Sequence, residues 1–245
     1  MSTHADDIFA LDIGTRKVIG MVARQEGQTL RIVDAECVEH QSRTMLDGQI
    51  HNITEVAKVV AHIKHALEQR RGITLRQAGV ALAGRSLKTF QKKSAKPIDL
   101  LEEISETDVR NLEMEAVGSL LRDSDKQWGS GEYYCVGYSV VYYALDGVAM
   151  GTLVGHQGKT MEVEIIATFL PRVVLNSMVS VLKKAGLEAA NVTLEPIAAI
   201  TAIIPQDIRK LNILLLDIGA GTSDIALTKN GMISAYGMVP EAGDE

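Results

Sequence analysis

Apolar and polar positions alternate or recur along this chain in patterns that mark its elements one after another. Residues 9–23, FALDIGTRKVIGMVA, run from an apolar strand into a polar turn and back into an apolar strand. A third apolar segment, Leu30 to Val38, follows the turn Glu26-Gly27-Gln28. Asn52-Ile53-Thr54-Glu55 has the form of a helix N-cap with Glu at its third position. Val56, Val59, Val60, Ile63 and Leu67 then recur at helical spacing until Arg71-Gly72. Gly79 to Ala83 reads as a short buried strand. The opening unit is therefore βββαβ, the start of a mixed sheet with crossover helices. A second capping box, Ser105-Glu106-Thr107-Asp108, opens a helix with Val109, Leu112, Ala116, Val117 and Leu120 on one side. Asp123 to Gly131 is polar and reads as a loop. Tyr133 to Leu145 is a long strand rich in Tyr and Val, and Asp146 to Lys159 reads as a Gly-rich hairpin loop. Met161, Val163, Ile165, Ala167 and Phe169 alternate, which predicts a strand with one buried face. Pro171 starts a helix through Val174, Met178, Val181 and Leu182, and Gly186 ends it. A strand near Asn191–Leu194 leads into a further helix at Glu195-Pro196-Ile197-Ala198-Ala199.

The opening pattern then returns. Residues 214–228 read LLLDIGAGTSDIALT. Leu215-Leu216-Asp217-Ile218-Gly219 aligns with Ala10-Leu11-Asp12-Ile13-Gly14. A third apolar segment, Met232 to Met238, again follows, here after the hairpin signal Asn230-Gly231. A repeated strand, Asp-Gly turn, strand, turn, strand unit implies a duplicated fold. It places two such turns across one cleft, with Asp12 and Asp217 facing each other.

Length, charge and cysteines narrow the picture. The 245 residues suffice for one large domain or two small ones. A net charge of −6 creates no field that draws the chain to nucleic acid or anionic lipid. Cys37 and Cys135 lack metal-ligand spacing and suggest reduced thiols in a cytoplasmic protein. MSTHADD is polar and acidic, unlike a signal peptide. No apolar run is long enough to span a membrane.

Strand interiors avoid Gly and Asp, so Asp217, Gly219, Gly221 and Asp224 ask for a reason. Glycines at φ > 0 can turn backbone N–H groups toward one anion. A Gly-rich hairpin with two solvated aspartates explains the same residues. Thr15, Thr222 and Ser223 offer hydroxyls to a polyphosphate, and Asp12 and Asp217 suit the outer shell of Mg²⁺, which keeps most of its water. Lys17 is either a phosphate ligand or a solvated strand lysine. Glu195 is either the group that positions an attacking water or a helix N-terminal carboxylate facing the dipole. Lys88, Lys92, Lys93 and Lys96 read as a solvated edge. The tyrosines of 133–143 read as sheet packing rather than a base-stacking platform, because no basic groove accompanies them. His62 and His65 lack a third metal ligand nearby in sequence.

Three stretches resemble motifs of the actin, Hsp70 and sugar-kinase superfamily. Asp12-Ile13-Gly14-Thr15 is similar to its first phosphate motif. Asp217 to Asp224 matches D-x-G-x-G-T-x-D, its second. Glu195 to Ala199 resembles its first connecting motif. Within the superfamily the chain most resembles the FtsA family of bacterial cell division. DIGTRKVIGMVA (12–23), the order of motifs across 48–86, an insertion at 87–159 and the ending VPEAGDE (239–245) carry that likeness. The resemblance implies an actin-like (ribonuclease H-like) α/β fold: a βββαβ unit, an inserted 1C-type α/β subdomain and the start of a second unit. Its expected divisions are 1–86 with 160–200 (subdomain 1A), 87–159 (1C-like) and 201–245 (the opening of subdomain 2A). It implies that Asp12, Gly14, Thr15, Lys17, Asp217, Gly219, Gly221, Thr222 and Asp224 bind the phosphates of ATP with Mg²⁺, and that Glu195 positions water or metal. It implies a nucleotide-dependent filament-forming scaffold, at most a slow ATPase. Such a scaffold tethers the tubulin-like FtsZ ring, recruits other division proteins and reaches the inner face of the membrane through a C-terminal segment absent here. The chain looks like a truncated version of that architecture. With half the cleft it is expected to self-associate and to bind ATP with a Kd on the order of a millimolar or weaker. A PilM-like pilus-assembly adaptor and a sugar- or acetate-kinase-like phosphotransferase are the alternatives.

Overall fold

A computed structural model describes residues 7–42, 44–46, 48–82, 87–129, 131–205, 208, 211–229 and 232–244. Ala83 to Ser86 and the Asn230-Gly231 turn lie outside the described residues.

Among the described residues, three larger sheets and one two-stranded ribbon organise the chain. The first has the order β11-β6-β1-β2-β3. It comprises β1 (Asp7–Ile13), β2 (Lys17–Glu26), β3 (Thr29–Glu39), β6 (Gln77–Leu82) and β11 (Glu188–Leu194). β1, β2 and β3 form an antiparallel meander, while β6 runs parallel to both β1 and β11. A two-stranded ribbon, β4 (Met45–Leu46) with β5 (Gln49–Ile50), precedes α1 (Ile53–Arg71). α1 starts where the Asn52 side chain accepts from the Glu55 N–H, and it stops at Gly72, which takes the left-handed conformation. Its stripe of Val56, Val60, Ile63 and Leu67 is fully buried against Phe9, Leu11, Val18 and Val22 of the sheet. α3 (Arg172–Lys184) shares this core through Met178, Val181 and Leu182.

The second sheet has the order β7-β10-β8-β9. Its strands are β7 (Lys88–Pro97), β8 (Tyr133–Leu145), β9 (Val148–Met150) and β10 (Thr160–Pro171). On pattern alone, residues 160–171 group with the first sheet. The hydrogen bonding places them here instead: β10 is the strand between β7 and β8, antiparallel to both. Alternation reveals a half-buried strand but not which sheet it joins. β10 passes from one core to the other, with Phe169 in the second and Leu170 in the first. α2 (Glu106–Trp128) covers this sheet with Leu112, Ala116 and Leu120. The helix continues through 123–128, where polarity suggests a loop. Asp123, Asp125, Lys126 and Gln127 are exposed while Ser124 is buried, and Lys126 lies in the last turn. β7 is an edge strand, and three of its four lysines are engaged: Lys92 with Asp123, Lys93 with Glu164, and Lys88 over the Tyr133 ring. Tyr138 and Tyr143 both donate to Glu113, so these tyrosines serve sheet-to-helix packing.

The third sheet is the meander β12 (Leu214–Ile218), β13 (Ser223–Lys229) and β14 (Met232–Val239). It repeats the topology of β1, β2 and β3. α4 (Glu195–Ile203) links the first sheet to the third and crosses the boundary expected at 200/201. β14 also lies against β8 of the second sheet.

Candidate functional site

The two Asp-Gly turns have the same backbone form. Ile13 pairs with Val18 and Ile218 with Ser223, leaving a four-residue loop in each case. Gly14 N–H donates to the Lys17 carbonyl at 3.0 Å, and Gly219 N–H donates to the Thr222 carbonyl at 2.9 Å. The glycines do not work through positive φ, as a nest of N–H groups would require: Gly14, Gly219 and Gly221 are not among the left-handed residues, and neither is Ala220. Close approach explains them instead. A Cβ at Gly219 would come within 3.1 Å of the Thr222 carbonyl. One at Gly221 would come within 2.9 Å of Thr15 Cγ2, across the gap between the loops. The two loops therefore touch through Thr15 and Gly221.

Together they line one cleft of about 830 Å³. Asp12, Gly14, Thr15, Lys17, Asp217, Gly219, Thr222 and Glu195 all border it. Gly221 is at the loop contact just described. Asp224 lies directly opposite Asp217 in the β12–β13 register and is 3 % exposed. Side chains opposite one another in a ladder share a sheet face, and like charges so placed repel.

The electrostatics report this crowding. The cleft walls reduce hydration of Asp12 and hold its pKa above the usual carboxylate range; Asp217 adds repulsion and Lys17 opposes it. Glu195, at the first turn of α4, is pushed up to about 8 by burial and by the charges of Asp224, Asp12 and Asp217. At neutral pH it is mostly protonated, despite a helix N-terminus that favours its charged form. Asp12, Asp217 and Asp224 thus all act on Glu195 electrostatically, and Lys17 and Arg16 are cations bordering the same cleft. Among the described residues, no three His, Cys, Asp or Glu side chains are grouped to hold a metal ion directly. A cation that keeps its own water shell and bridges to phosphate suits this donor set, because it would relieve repulsion without direct coordination by several carboxylates.

Sequence reasoning missed three residues. His40 Nε2 donates to the Gly14 carbonyl at 3.2 Å; a carbonyl only accepts, so Nε2 carries the proton. Burial holds its pKa below the ordinary imidazole value. Its backbone N–H donates to the Arg16 carbonyl at 2.9 Å, so His40 braces the first loop from behind. Arg16 and Asp244 form an ion pair at the cleft. Asp244 gets there because 241–244 folds back on the second loop: Gly243 N–H donates to Gly219, Asp244 N–H to Ala220, and Ser223 Oγ to the Glu241 carbonyl. Arg16 had a visible signal, a cation inside a phosphate-type turn. His40 and Asp244 had none, because their roles depend on chain reversal.

No protein-family model matches the chain. It is similar to the cell division protein FtsA of Streptococcus pneumoniae, 23 % identical over 96 % of this chain and 50 % of that protein. FtsA of Pseudomonas aeruginosa is 25 % identical over 97 % of this chain and 55 % of its own length. FtsA of Escherichia coli K12 is 24 % identical over 97 % and 54 %. The chain spans about half the length of the curated relatives it matches. Among solved structures, the PilM-PilN type IV pilus biogenesis complex aligns with a TM-score of 0.66 at 15 % identity, covering 97 % of this chain and 62 % of that one. The ethanolamine utilization protein EutJ from Carboxydothermus hydrogenoformans aligns at 0.53 and 17 %, covering 98 % and 54 %.

Proposed function

We propose, from the premise that this is an FtsA-like protein with the actin-like fold, that its cleft binds the phosphates of ATP with Mg²⁺. One observation carries the reading: two loops closed by the same N–H to carbonyl bond meet at Thr15 and Gly221 in a cleft bordered by Asp12, Asp217 and Glu195. The hydroxyls of Thr15 and Thr222 and the backbone N–H groups of Thr15, Gly221 and Thr222 would hold phosphate oxygens, with Lys17 as a point charge, while Gly14 and Gly219 close the two loops with their own N–H groups. Asp12 and Asp217 would hold the water shell of Mg²⁺, and that ion would supply the positive charge that offsets both the carboxylates and the phosphates. Glu195 is mostly protonated in the bare cleft, so it orients water rather than deprotonating it. Neutralising the carboxylates beside it would lower its pKa, while burial, the larger cause, would still favour the protonated form. That fits slow hydrolysis and a scaffold role better than rapid turnover.

Division is the biological setting we propose, since the curated relatives above are cell division proteins. In this reading the protein is cytoplasmic, self-associates as filaments, contacts an FtsZ-type tubulin homologue, and presents the second-sheet lobe to other division proteins. Among the described residues no helix is long and apolar enough to cross a membrane.

Titration of Mg-ATP followed by NMR tests the site. Shifts are expected at Gly14–Lys17 and Gly219–Thr222, and they should require Mg²⁺. Gly221→Val should abolish them, because its Cβ would press on Thr15. Shifts elsewhere, or shifts indifferent to Gly221→Val, would remove the reading. Co-purification with an FtsZ-type protein rather than a PilN-type protein tests the setting.

A further inference from the structure

We propose that Arg16 is a polyphosphate-binding residue of this cleft and that Asp244 is its built-in competitor, so that nucleotide entry breaks a salt bridge tying the two loops together. The proposal rests on the nucleotide reading above. Arg16 lies between Thr15 and Lys17 in the first loop. Its carbonyl is held by the His40 N–H at 2.9 Å, so the backbone is anchored while the guanidinium can swing. In the structure that guanidinium pairs with Asp244. Asp244 is anchored to the other loop: its N–H donates to the Ala220 carbonyl at 2.9 Å, and the preceding Gly243 N–H donates to Gly219 at 3.1 Å. The ion pair therefore closes a ring from the first loop, through two side chains, to the second.

Both partners border the same cleft as Asp12 and Asp217. A polyphosphate lying along the two loops must pass the Arg16–Asp244 pair. Three physical effects then favour exchange. Both side chains are exposed, and an exposed ion pair contributes little net stability, so it opens at small cost. A guanidinium matches phosphate oxygens bidentately, whereas Lys17 offers only a point charge. The phosphate carries more negative charge than one carboxylate and repels Asp244. Once Arg16 turns to the phosphate, residues 241–244 lose their side-chain tie to the first loop and keep only their hydrogen bonds to the second. Occupancy of the cleft is thereby reported at 241–244, which continues directly from β14, the strand packed against the second-sheet lobe.

The test is a mutant cycle on the 245-residue chain, reading Mg-ATP affinity by NMR titration. Arg16→Ala should weaken binding about tenfold, the loss of one charge-assisted bidentate contact. Asp244→Asn should tighten binding by about threefold or more, because the competitor is gone. Added to Arg16→Ala, Asp244→Asn should tighten binding by clearly less than it does alone, because only the direct repulsion between Asp244 and phosphate is then removed. As an independent readout, the Arg16 Nε–H resonance of the free wild type should move when Asp244→Asn is introduced. Saturating Mg-ATP should bring both proteins to the same bound position. If Asp244→Asn weakens binding, leaves it unchanged, or acts equally with and without Arg16, the competition is overturned while the nucleotide site stands. If Gly221→Val leaves wild-type affinity intact, the nucleotide site and the competition fall together.

Discussion

The two hairpin units of this chain are copies in backbone and opposites in support. In the first, Phe9, Leu11, Ile13, Val18 and Val22 are sealed beneath α1. In the second, Leu214, Leu216 and Ile218 are each more than half exposed, and Leu227 is exposed beside them. Yet the loops are superimposable in their defining bond, 3.0 Å in one and 2.9 Å in the other. The loop shape therefore does not depend on the core behind it. It comes from the local sequence: an apolar strand, Asp-Ile-Gly, a four-residue connection and a returning strand. The core decides how firmly that shape is held and which of the two units gives way first.

The largest difference is expected from truncating buried leucine. Leu67→Ala, beneath the first unit, should cost about 2–5 kcal/mol in denaturant unfolding. Leu216→Ala in the second should stay within about 0.5 kcal/mol. Equal losses would mean that both units are packed alike. Next come the glycines. A Cβ at Gly20 would sit 2.4 Å from Ile63 Cγ2 in the packed core, so Gly20→Ala should destabilise by about 1–3 kcal/mol. Gly219→Ala meets one carbonyl at 3.1 Å, at an exposed loop, and should cost less than about 1 kcal/mol. The reverse ranking would place the strain in the loops instead of the core.

The units meet electrostatically at Glu195, and this gives a pH signature. The folded chain keeps the Glu195 proton to about 8, while an unfolded one releases it near 4.5. The folded state thus binds more protons in that window, and stability falls as pH rises from about 4.5 through about 8. Glu195→Gln should raise Tm little at pH 4 and most above pH 8. A Tm difference independent of pH would show that neither burial nor the Asp224, Asp12 and Asp217 charges raise the Glu195 pKa. The smallest effect on the fold is expected on the open face. Leu214→Lys with Leu216→Lys should leave Tm nearly unchanged and shift sedimentation toward the monomer. Sedimentation indifferent to the pair would remove this face as the site of the proposed self-association.

Much of this was visible in the sequence because the forces involved are local. The strands of both units, the caps at Asn52 and Ser105, the helix stop at Gly72 and the duplicated Asp-Gly turns all follow from residue spacing and turn chemistry. The cleft residues were legible for the same reason: two copies of one motif imply two loops, and the repeat implies that they oppose. What the sequence left open depended on partners distant in the chain. Alternation at 161–169 announced a strand, but only the pairing of β10 with β7 and β8 assigned it to the second sheet. The glycines were legible as special, but the reason was steric contact between Thr15 and Gly221 rather than backbone handedness. His40 and Asp244 are unremarkable in sequence and become part of the site only where β3 and the 241–244 segment return to the loops. The pKa of Glu195 likewise exists only in the assembled cleft, because charge repulsion and lost hydration depend on distance through space, and distance along the chain does not report it.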